Sequence, residues 1–314
     1  MPRYYDTLLK RHPDNPVISP GDFPHGRADA VFNCGQTMHD GQAVLLLSVL
    51  LADNPSPAVY VARSSDGLHF DIRPEPFMTR VQDPQLAGYD GWVIDTRVTR
   101  IDDTYYIVRP TGSTAHALLY RTRDFETCEF VDCIALTHNR VPCLFPGKIG
   151  GYYWKLDRPS SGKPPENPGS IWISRSPDLV HWGHFRPLLD PFIHWASFKI
   201  GPTPPIRTER GWLEIIHGVS RNCSTARYSL GAVLLDLDDP GRIVGRMNEY
   251  LLTPETDYEH CGRTPDVVFT CGAIADEQED RLRVYYGGAD TCICLAEGSL
   301  SEIVEACVSG GEQS

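Results

Sequence analysis

The most informative segment of the chain reads Val59-Tyr-Val-Ala-Arg-Ser-Ser-Asp66-Gly-Leu-His-Phe70. It joins a short run of β-branched and aromatic residues to a Ser-x-Asp turn signal, so it predicts a strand that ends in a tight turn. Similar segments are Leu118-Leu-Tyr-Arg-Thr-Arg-Asp124-Phe125 and Ile171-Trp-Ile-Ser-Arg-Ser-Pro-Asp178-Leu-Val-His-Trp182, with a weaker copy at Gly231-Ala-Val-Leu-Leu-Asp236. The aspartates of successive copies are 58, 54 and 58 residues apart, which indicates an internal repeat.

Two other kinds of apolar segment recur upstream of this motif, in the same order each time. Long apolar strands are predicted at residues 43–51, 104–108, 151–156, 211–217 and 281–288. A shorter apolar segment precedes each, at residues 31–34, 92–95, 142–145, 197–200 and 266–269. An antiparallel unit of about 60 residues that occurs five times predicts an all-β fold, a five-bladed β-propeller. A β-sandwich or barrel with chance self-similarity is the alternative.

The predicted domain organisation is a single catalytic propeller domain over residues 1–314. A chain of 314 residues is long enough for one large all-β domain, and 27 glycines with 26 prolines indicate many turns and few long helices. Residues 1–14 are expected to form an N-terminal extension. Residues 299–314 are expected to form a C-terminal tail that includes a short helix.

Charge and cysteine usage narrow the function classes. A formal net charge of −12 argues against a general nucleic-acid binder. The sequence has neither an apolar run long enough for a membrane span nor a secretory signal at its start. Its ten cysteines are scattered, and the only close pair is Cys292-x-Cys294, so we expect reduced structural thiols, no metal site and a cytoplasmic protein.

Several polar residues interrupt the two kinds of apolar segment that are expected to line the centre of a propeller. A buried charge is unfavourable unless it is paired or used. Cations gathered in a chain of net charge −12 therefore predict a bound anion, and internal salt bridges are the alternative. The candidate inward-pointing residues are Asn33, Asp95, Arg97, Arg140, Lys148, Arg158, Lys199, His217, Asp266 and Asp290.

From about residue 15 to residue 296, the chain resembles glycoside hydrolase family 130, the five-bladed β-mannoside phosphorylases. Each matching segment alone is weak evidence for the family, but the full set in this order is specific. They are Phe32-Asn-Cys-Gly35, Ala62-Arg-Ser-Ser-Asp-Gly67, Asp95-Thr-Arg97, Leu144-Phe-Pro-Gly-Lys148, Asp157-Arg-Pro159, Ile171-Trp-Ile-Ser174, Lys199-Ile-Gly201, Gly211-Trp-Leu213, His217-Gly-Val219, Gly231-Ala-Val-Leu-Leu-Asp236 and Tyr285-Tyr-Gly-Gly-Ala-Asp290.

The resemblance implies an inverting phosphorolysis of a β-mannoside. Inorganic phosphate, the co-substrate, attacks the anomeric carbon and gives α-mannose 1-phosphate and a shortened acceptor. An inverting hydrolase needs two carboxylates so that one can activate water, whereas phosphate is already an anionic nucleophile. One carboxylic acid and a set of cations therefore suffice. No metal or organic cofactor is implied, and the expected partners are a β-mannoside oligosaccharide and phosphate.

Asp95 matches the single catalytic acid of the family, in a motif that is usually Asp-Pro-Arg and is Asp95-Thr-Arg97 here. In the family the proton is expected to reach the glycosidic oxygen through a hydroxyl of the bound mannose. Judged from spacing alone, Asp95 is more simply a carboxylate that caps the backbone at the end of a strand. Within the motif, the catalytic interpretation is favoured.

The resemblance also implies a phosphate site. Arg140 lies six residues before the proline of Leu144-Phe-Pro, as the family's phosphate arginine does. Guanidinium groups can hold phosphate oxygens bidentately, and a lysine supplies a point charge. The predicted phosphate-binding residues are Arg140, Arg158, Lys199, His217 and Tyr228.

Sugar binding is expected at Asn33, Ser48, Arg97 and Asp290. Asp290 matches the family's ligand for mannose hydroxyls. Ser48 stands where the family usually has an arginine that contacts the sugar, which predicts a neutral and roomier pocket on that side. The tryptophans at 92, 154 and 195 are candidate platforms, with blade packing expected for at least two. Ser48 and the threonine of Asp95-Thr-Arg97 depart from the family pattern. These departures leave the acceptor specificity, and also the identity of the glycone, more open than the reaction type.

Two other functions stay open at this point. An inverting β-mannosidase that uses water would need a second carboxylate, for which Glu259 and Asp266 are the candidates. A non-catalytic carbohydrate-binding propeller is the other. The linkage, β-1,4 or β-1,2, and the acceptor are open, although the short N-terminal segment favours manno-oligosaccharide or mannosyl-N-acetylglucosamine substrates over mannosylglucose. Because members of this family often self-associate, a homo-oligomer is an expectation.

Overall fold

The computed structural model describes residues 7–24, 28–112, 116–159, 169–221 and 225–311. The described strands form five separate antiparallel sheets of four or five strands each. These sheets are arranged as the five blades of a propeller, so the predicted all-β fold is confirmed.

Each blade is built mainly from strands that follow one another in the chain. After the short strand β1 (Lys10–Arg11), the first blade contains β2 (Ala28–His39), β3 (Gln42–Leu51), β4 (Asn54–Ser64) and β5 (Asp71–Ile72). The second contains β6 (Arg97–Ile101), β7 (Thr104–Pro110), β8 (Ala117–Thr122) and β9 (Glu129–Ala135).

The third and fourth blades follow the same plan. The third contains β10 (Cys143–Ile149), β11 (Tyr152–Asp157), β12 (Ile171–Ser176) and β13 (Gly183–Leu189). The fourth contains β14 (Lys199–Gly201), β15 (Ile206–Arg207), β16 (Trp212–Arg221), β17 (Ala226–Leu235) and β18 (Ile243–Arg246). The five long apolar strands predicted from the sequence are the second main strands of the five blades.

The fifth blade joins the two ends of the described chain. Its strands from the C-terminal part are β19 (Val268–Phe269), β20 (Ile274–Asp276), β21 (Arg281–Gly288) and β22 (Cys292–Ser299). The edge strand is β1, which pairs with β22, so part of the segment expected as an N-terminal extension completes this blade. The pairing closes the ring and covers a sheet edge that would otherwise be exposed.

The repeated aspartate motif forms the same turn in four blades. Oδ1 of Asp66 accepts hydrogen bonds from the backbone N–H groups of Leu68 and His69, over 2.8 and 2.9 Å. The corresponding bonds are made by Asp124, Asp178 and Asp236. The repeat is therefore a local hydrogen-bonding device that ends the third main strand of each of these blades.

Helices are few among the described residues. The short α1 (Asp257–His260) precedes the fifth blade, and α2 (Leu300–Ser309) follows it, as expected for the C-terminal tail. Ser299 caps α2 by accepting a hydrogen bond from the N–H of Glu302. Ile303, Val304 and Cys307 of α2 are buried in one hydrophobic cluster with strands of the fourth and fifth blades. No helix within the described ranges is long and apolar enough to span a membrane.

Candidate active site

A cavity of about 230 Å³ is lined by residues from all five blades, which places it on the propeller axis. The innermost strands β2, β6, β10, β14 and β19, with the segments that lead into them, supply most of its wall. Its lining residues are Phe32, Asn33, Trp92, Ile94, Asp95, Arg140, Val141, Arg158, Lys199, His217, Tyr228, Thr264, Val267, Phe269 and Asp290.

The fold brings most of the predicted site residues into this one cavity. Eight of the ten line it, although in sequence they are spread from residue 33 to residue 290. The two that do not are Ser48 and Arg97, which lie behind the wall. Lys148 and Asp266, from the wider set of expected inward-pointing residues, are also absent from the lining. Lys148 contacts the ring of Tyr153 instead.

Asn33 joins two carboxylates at one side of the cavity. Its Nδ2 donates hydrogen bonds to Oδ1 of Asp95 over 3.0 Å and to Oδ1 of Asp290 over 3.2 Å. All three residues have positive φ angles, of 43°, 54° and 51° in the order Asn33, Asp95, Asp290. Asn and Asp tolerate the left-handed region better than most residues, and such conformations gather where a fold aims side chains at a site. Asn33 also lies within a register shift of the β2–β3 pair, which re-aims its side chain.

Ser48 holds the backbone of this side from behind. The side chain is fully buried in β3, and its Oγ donates to the carbonyl oxygen of Asn33 over 2.9 Å. The same Oγ accepts from the N–H of Asp95 over 3.0 Å. One hydroxyl thus connects the first blade to the segment that carries Asp95. Sugar contact was expected for Ser48, whereas the structure places it outside the cavity lining with both of these bonds made to backbone.

Arg97 also lies behind the wall, where direct contact with sugar was expected. It is 1% exposed, its Nη1 donates to the carbonyl oxygen of Asp95, and its guanidinium lies over the ring of Phe269, 5.9 Å from the centroid. Arg97 is the first residue of β6, and both of these contacts are to residues that line the cavity, so it supports the wall.

The predicted phosphate-binding residues come from the third and fourth blades, and one of them, Arg140, reaches the carboxylate side, with Nη2 3.8 Å from Asp95 Oδ2. Lys199 Nζ donates to the Tyr228 hydroxyl over 2.7 Å. Burial, together with the nearby Arg158 and Arg140, lowers the pKa of Lys199 to about 7. Burial and the same group of cations lower the pKa of His217, so its imidazole is neutral at physiological pH. Mutually repelling cations around one space favour an anionic ligand.

Arg158 is the most enclosed of these cations at 7% exposure. Burial, with repulsion from Arg140, lowers its pKa to about 10, and the guanidinium still carries a full charge at neutral pH. Its backbone N–H is held by Oδ1 of Asn139 over 3.0 Å, and Asn139 Nδ2 donates to Asp157 over 2.7 Å. Arg158 Nε and His217 Nδ1 are buried without a hydrogen-bond partner in the described parts of the chain. These groups suit a ligand that accepts hydrogen bonds.

Some site residues were missed from the sequence. Asn139 positions Arg158, and its only signal is that it immediately precedes Arg140. Phe32, Ile94 and Phe269 form apolar wall; their segments were expected to line the centre, but only the polar residues in them were chosen as candidates. Among the three candidate tryptophans, Trp92 lines the cavity. Trp154 and Trp195 instead pack within hydrophobic clusters of the third and fourth blades.

Neither carboxylate proposed as a hydrolytic base lies in the cavity wall. Glu259 is fully buried and accepts from Arg11, from the Tyr286 hydroxyl and from two backbone N–H groups. Asp266 bonds to His260 Nδ1 over 2.6 Å. The carboxylates that do line the cavity are Asp95 and Asp290, and both lie within 3.2 Å of the same amide nitrogen.

A family model described as beta-1,4-mannooligosaccharide phosphorylase matches residues 10–309. The chain belongs to glycoside hydrolase family 130. It is 33% identical over 311 residues to beta-1,4-mannooligosaccharide phosphorylase of Ruminococcus albus, an alignment that covers 95% of this chain and 90% of that protein. It is 39% identical over 253 residues to beta-1,2-mannobiose phosphorylase of Listeria innocua, with 78% and 67% covered. The predicted family is thereby confirmed.

A solved structure in family 130 has the same fold. Beta-1,2-mannobiose phosphorylase from Listeria innocua, in complex with beta-1,2-mannobiose, superposes with a TM-score of 0.84 at 31% identity. The match covers 95% of this chain and 99% of that one. The likeness extends over the whole propeller, and the individual roles of the cavity residues stay predictions.

Proposed function

We propose that the chain is an inverting β-mannoside phosphorylase whose acid is Asp95 and whose phosphate site is formed by Arg140, Arg158, Lys199, His217 and Tyr228. The enzyme class agrees with the family and with relatives that are named beta-mannoside phosphorylases. In the proposed reaction a phosphate oxygen forms a bond to the anomeric carbon of the mannosyl unit. The glycosidic C–O bond breaks, and the departing acceptor oxygen takes a proton that originates on Asp95.

One observation carries this proposal: the cavity gathers its two carboxylates around one amide and draws its cations from two other blades, and Arg140 links the two groups with Nη2 3.8 Å from Asp95 Oδ2. Asp95 and Asp290 lie together around Asn33, whereas the cations and the Tyr228 hydroxyl come from the third and fourth blades. An anionic nucleophile held by the second group can approach a sugar held by the first. In-line attack needs the nucleophile and the acid on opposite faces of the reacting carbon, and a phosphate bound by Arg158 and Lys199 with a sugar bound at Asn33 would meet that requirement.

The hydrolytic alternative is not favoured, because the cavity lacks a suitably placed base. An inverting hydrolase holds its two carboxylates about 6.5–9.5 Å apart, with room for a water between the base and the sugar. Here the two lining carboxylates are neighbours on one side. Glu259 and Asp266 are engaged elsewhere.

Mannosyl recognition is proposed for Asn33 and Asp290. Burial raises the pKa of Asp290, and the nearby charge of Asp95 raises it further. A carboxyl group beside an amide can accept from and donate to vicinal hydroxyls of a sugar. The substrate is proposed to be a β-mannoside of the manno-oligosaccharide or mannosyl-N-acetylglucosamine type. The relatives are named for both β-1,4 and β-1,2 linkages, so either is open. Cytoplasmic location and self-association remain predictions from the sequence.

The experiment that tests the function is product analysis with and without inorganic phosphate. The purified chain is incubated with β-1,4-mannobiose, β-1,2-mannobiose and mannosyl-N-acetylglucosamine, and α-mannose 1-phosphate is quantified. Release that depends on phosphate supports the proposal, and the best substrate reveals the linkage. Free mannose at the same rate in both conditions would make the chain a hydrolase. Binding of a mannoside without turnover would favour the non-catalytic propeller.

A further inference from the structure

Trp92 is a half-exposed aromatic residue at the mouth of the cavity. Its exposure is 47%, whereas Asp95 and Asn33, in the same wall, are each 6% exposed. Trp92 lines the cavity, and no other large hydrophobic residue in the described ranges that is equally exposed does so. The other exposed large hydrophobic residues are Tyr89, Leu136, Tyr152 and Phe185.

The backbone that carries Trp92 is anchored by a buried ion pair. Asp90, two residues earlier, accepts from Arg109 Nη1 over 2.8 Å and from Nη2 over 2.6 Å, and both side chains are fully buried. Asp90 Oδ2 also accepts from the N–H of Val81 over 2.6 Å. A bidentate pair of this kind fixes geometry as well as charge.

A second anchor holds the backbone at the tryptophan itself. The N–H groups of Gly91 and Trp92 both point to the carbonyl oxygen of Thr111, over 3.0 and 3.4 Å. Gly112 has a φ of +94°, and a Cβ at that position would lie 2.9 Å from Cβ of Trp92. The chain thus passes closely behind the indole. The backbone beneath the exposed indole is already held in place, so little further ordering of this segment is needed when a ligand covers it.

The position of Trp92 relative to Asp95 indicates which part of a substrate would reach it. Trp92, Ile94 and Asp95 belong to one segment, which leads into β6 of the second blade. The cations come from the third and fourth blades; Arg140 Nη2 lies 3.8 Å from Asp95 Oδ2, whereas Lys199 bonds to the Tyr228 hydroxyl. An inverting displacement places the nucleophile and the leaving group on opposite faces of the reacting carbon. The leaving group therefore departs on the side of Asp95, and toward solvent it meets Trp92.

We propose that Trp92 is the stacking platform for the acceptor sugar, the unit that leaves in phosphorolysis and attacks in the reverse reaction. This rests on the proposed function, because the assignment of sides follows from phosphate as nucleophile. An indole face offers a flat apolar surface to the C–H groups of a pyranose ring, while the sugar hydroxyls stay in water at the mouth.

The proposal is tested by kinetics in the synthetic direction, with α-mannose 1-phosphate as donor and mannose or N-acetylglucosamine as acceptor. Trp92→Ala is expected to raise the KM for the acceptor roughly five- to tenfold, the range that an aromatic contact usually contributes. The KM for α-mannose 1-phosphate should stay within about twofold. The acceptor KM of Trp92→Phe should lie between those of the wild type and Trp92→Ala. An unchanged acceptor KM in Trp92→Ala overturns the proposal.

Phe185→Ala is the matched control, because Phe185 is 48% exposed and lies on β13, the edge strand of the third blade. Its kinetic constants should match those of the wild type. A binding measurement separates failure of this proposal from failure of the proposed function. Titration of β-mannobiose should quench tryptophan fluorescence in the wild type and quench it less in Trp92→Phe. Equal quenching in both overturns the platform even if the enzyme shows no phosphorolysis.

Discussion

Asn33 donates a hydrogen bond from Nδ2 to Oδ1 of Asp95 over 3.0 Å, across the boundary between the first two blades. The same nitrogen lies 3.2 Å from Oδ1 of Asp290 in the fifth blade. One amide therefore fixes the spacing of two carboxylates that would otherwise repel. The arrangement links the proposed acid and the proposed mannose-binding residue through one amide, so the effects of substitutions at these two residues should not be additive.

Asp95→Asn is expected to lower the phosphorolysis rate by about 10²–10⁴-fold, the usual contribution of a positioned acid. The amide keeps the size of the carboxyl and its place beside Asn33, but it cannot supply the proton. Sugar binding should persist, and calorimetric titration with β-mannobiose checks this. Asp290→Asn is the comparison, since the loss there should include weaker binding. Full activity in Asp95→Asn would contradict the assigned role.

Ser48→Ala should reduce kcat at least about tenfold, although Ser48 does not line the cavity. The reason is that a small displacement of a catalytic group, here Asp95, lowers the rate strongly. The variant removes the hydroxyl that bonds to the carbonyl of Asn33 and the N–H of Asp95. Leaving these buried backbone groups unpaired also costs about 1–3 kcal/mol of stability, which urea unfolding measures.

Ser176→Ala is the control for this variant. Ser176 is likewise fully buried and bonds to Asp178, both to its carboxylate and to its N–H, in the turn of the third blade, away from the cavity. Because the partners of Ser176 are only part-buried, a smaller loss of stability with unchanged kcat is expected. If Ser48→Ala behaves in the same way, Ser48 has no positioning role.

Anion affinity should fall as the pH rises through about 7, because Lys199 carries its charge only below its lowered pKa. Sulfate, tested as a competitor of phosphate, is the better probe, since its own charge is constant in this range. Its inhibition constant should rise between pH 6 and pH 8.5. Lys199→Met should bind sulfate weakly at every pH and lose the dependence. Lys148→Met, which removes a lysine outside the cavity, should keep it.

Glu259→Gln should destabilise the propeller without changing the reaction. Burial alone would oppose the charge on Glu259, but bonds from Arg11, Tyr286 and backbone N–H groups outweigh this and lower its pKa. A lowered pKa stabilises the fold above the usual glutamate value of about 4.3, and this contribution is lost as the pH falls through the lowered pKa. Breaking a buried pair costs about 3–5 kcal/mol.

The measurement is urea unfolding at pH 7 and pH 4, with product analysis on the folded variant. Glu129→Gln is the control, because the Arg121–Glu129 pair is about half exposed and should contribute little. Loss of activity in folded Glu259→Gln would revive this residue as a hydrolytic base.

The fold was predictable because its signals are local and repeated. Alternating and apolar runs report strands, and each Asp66-type turn is completed by backbone N–H groups two and three residues further on. Such patterns need no knowledge of the rest of the chain. The second main strand of the fifth blade, β21 at Arg281–Gly288, was predicted at its observed bounds.

One feature of the fifth blade was not predicted. The strand β1 completes it from the opposite end of the chain, and a strand of two residues carries no periodic signal.

In the second blade, the segment 92–95 was expected to be a strand like its counterparts, but β6 begins only at Arg97. The positive φ of Asp95 ends the extended run before the strand starts.

The repeat, the number of blades and the family were predictable from the amino-acid sequence, because residue types at motif spacings carry that information, and the family resemblance pointed to the eight predicted residues that line the cavity. The places of Ser48, Arg97 and Trp92 could be found only from the folded chain. The sequence around a serine, an arginine or a tryptophan does not reveal whether that residue contacts a ligand, the backbone or solvent. Which of these each one meets depends on the register between blades, and that register is set by packing around the whole ring.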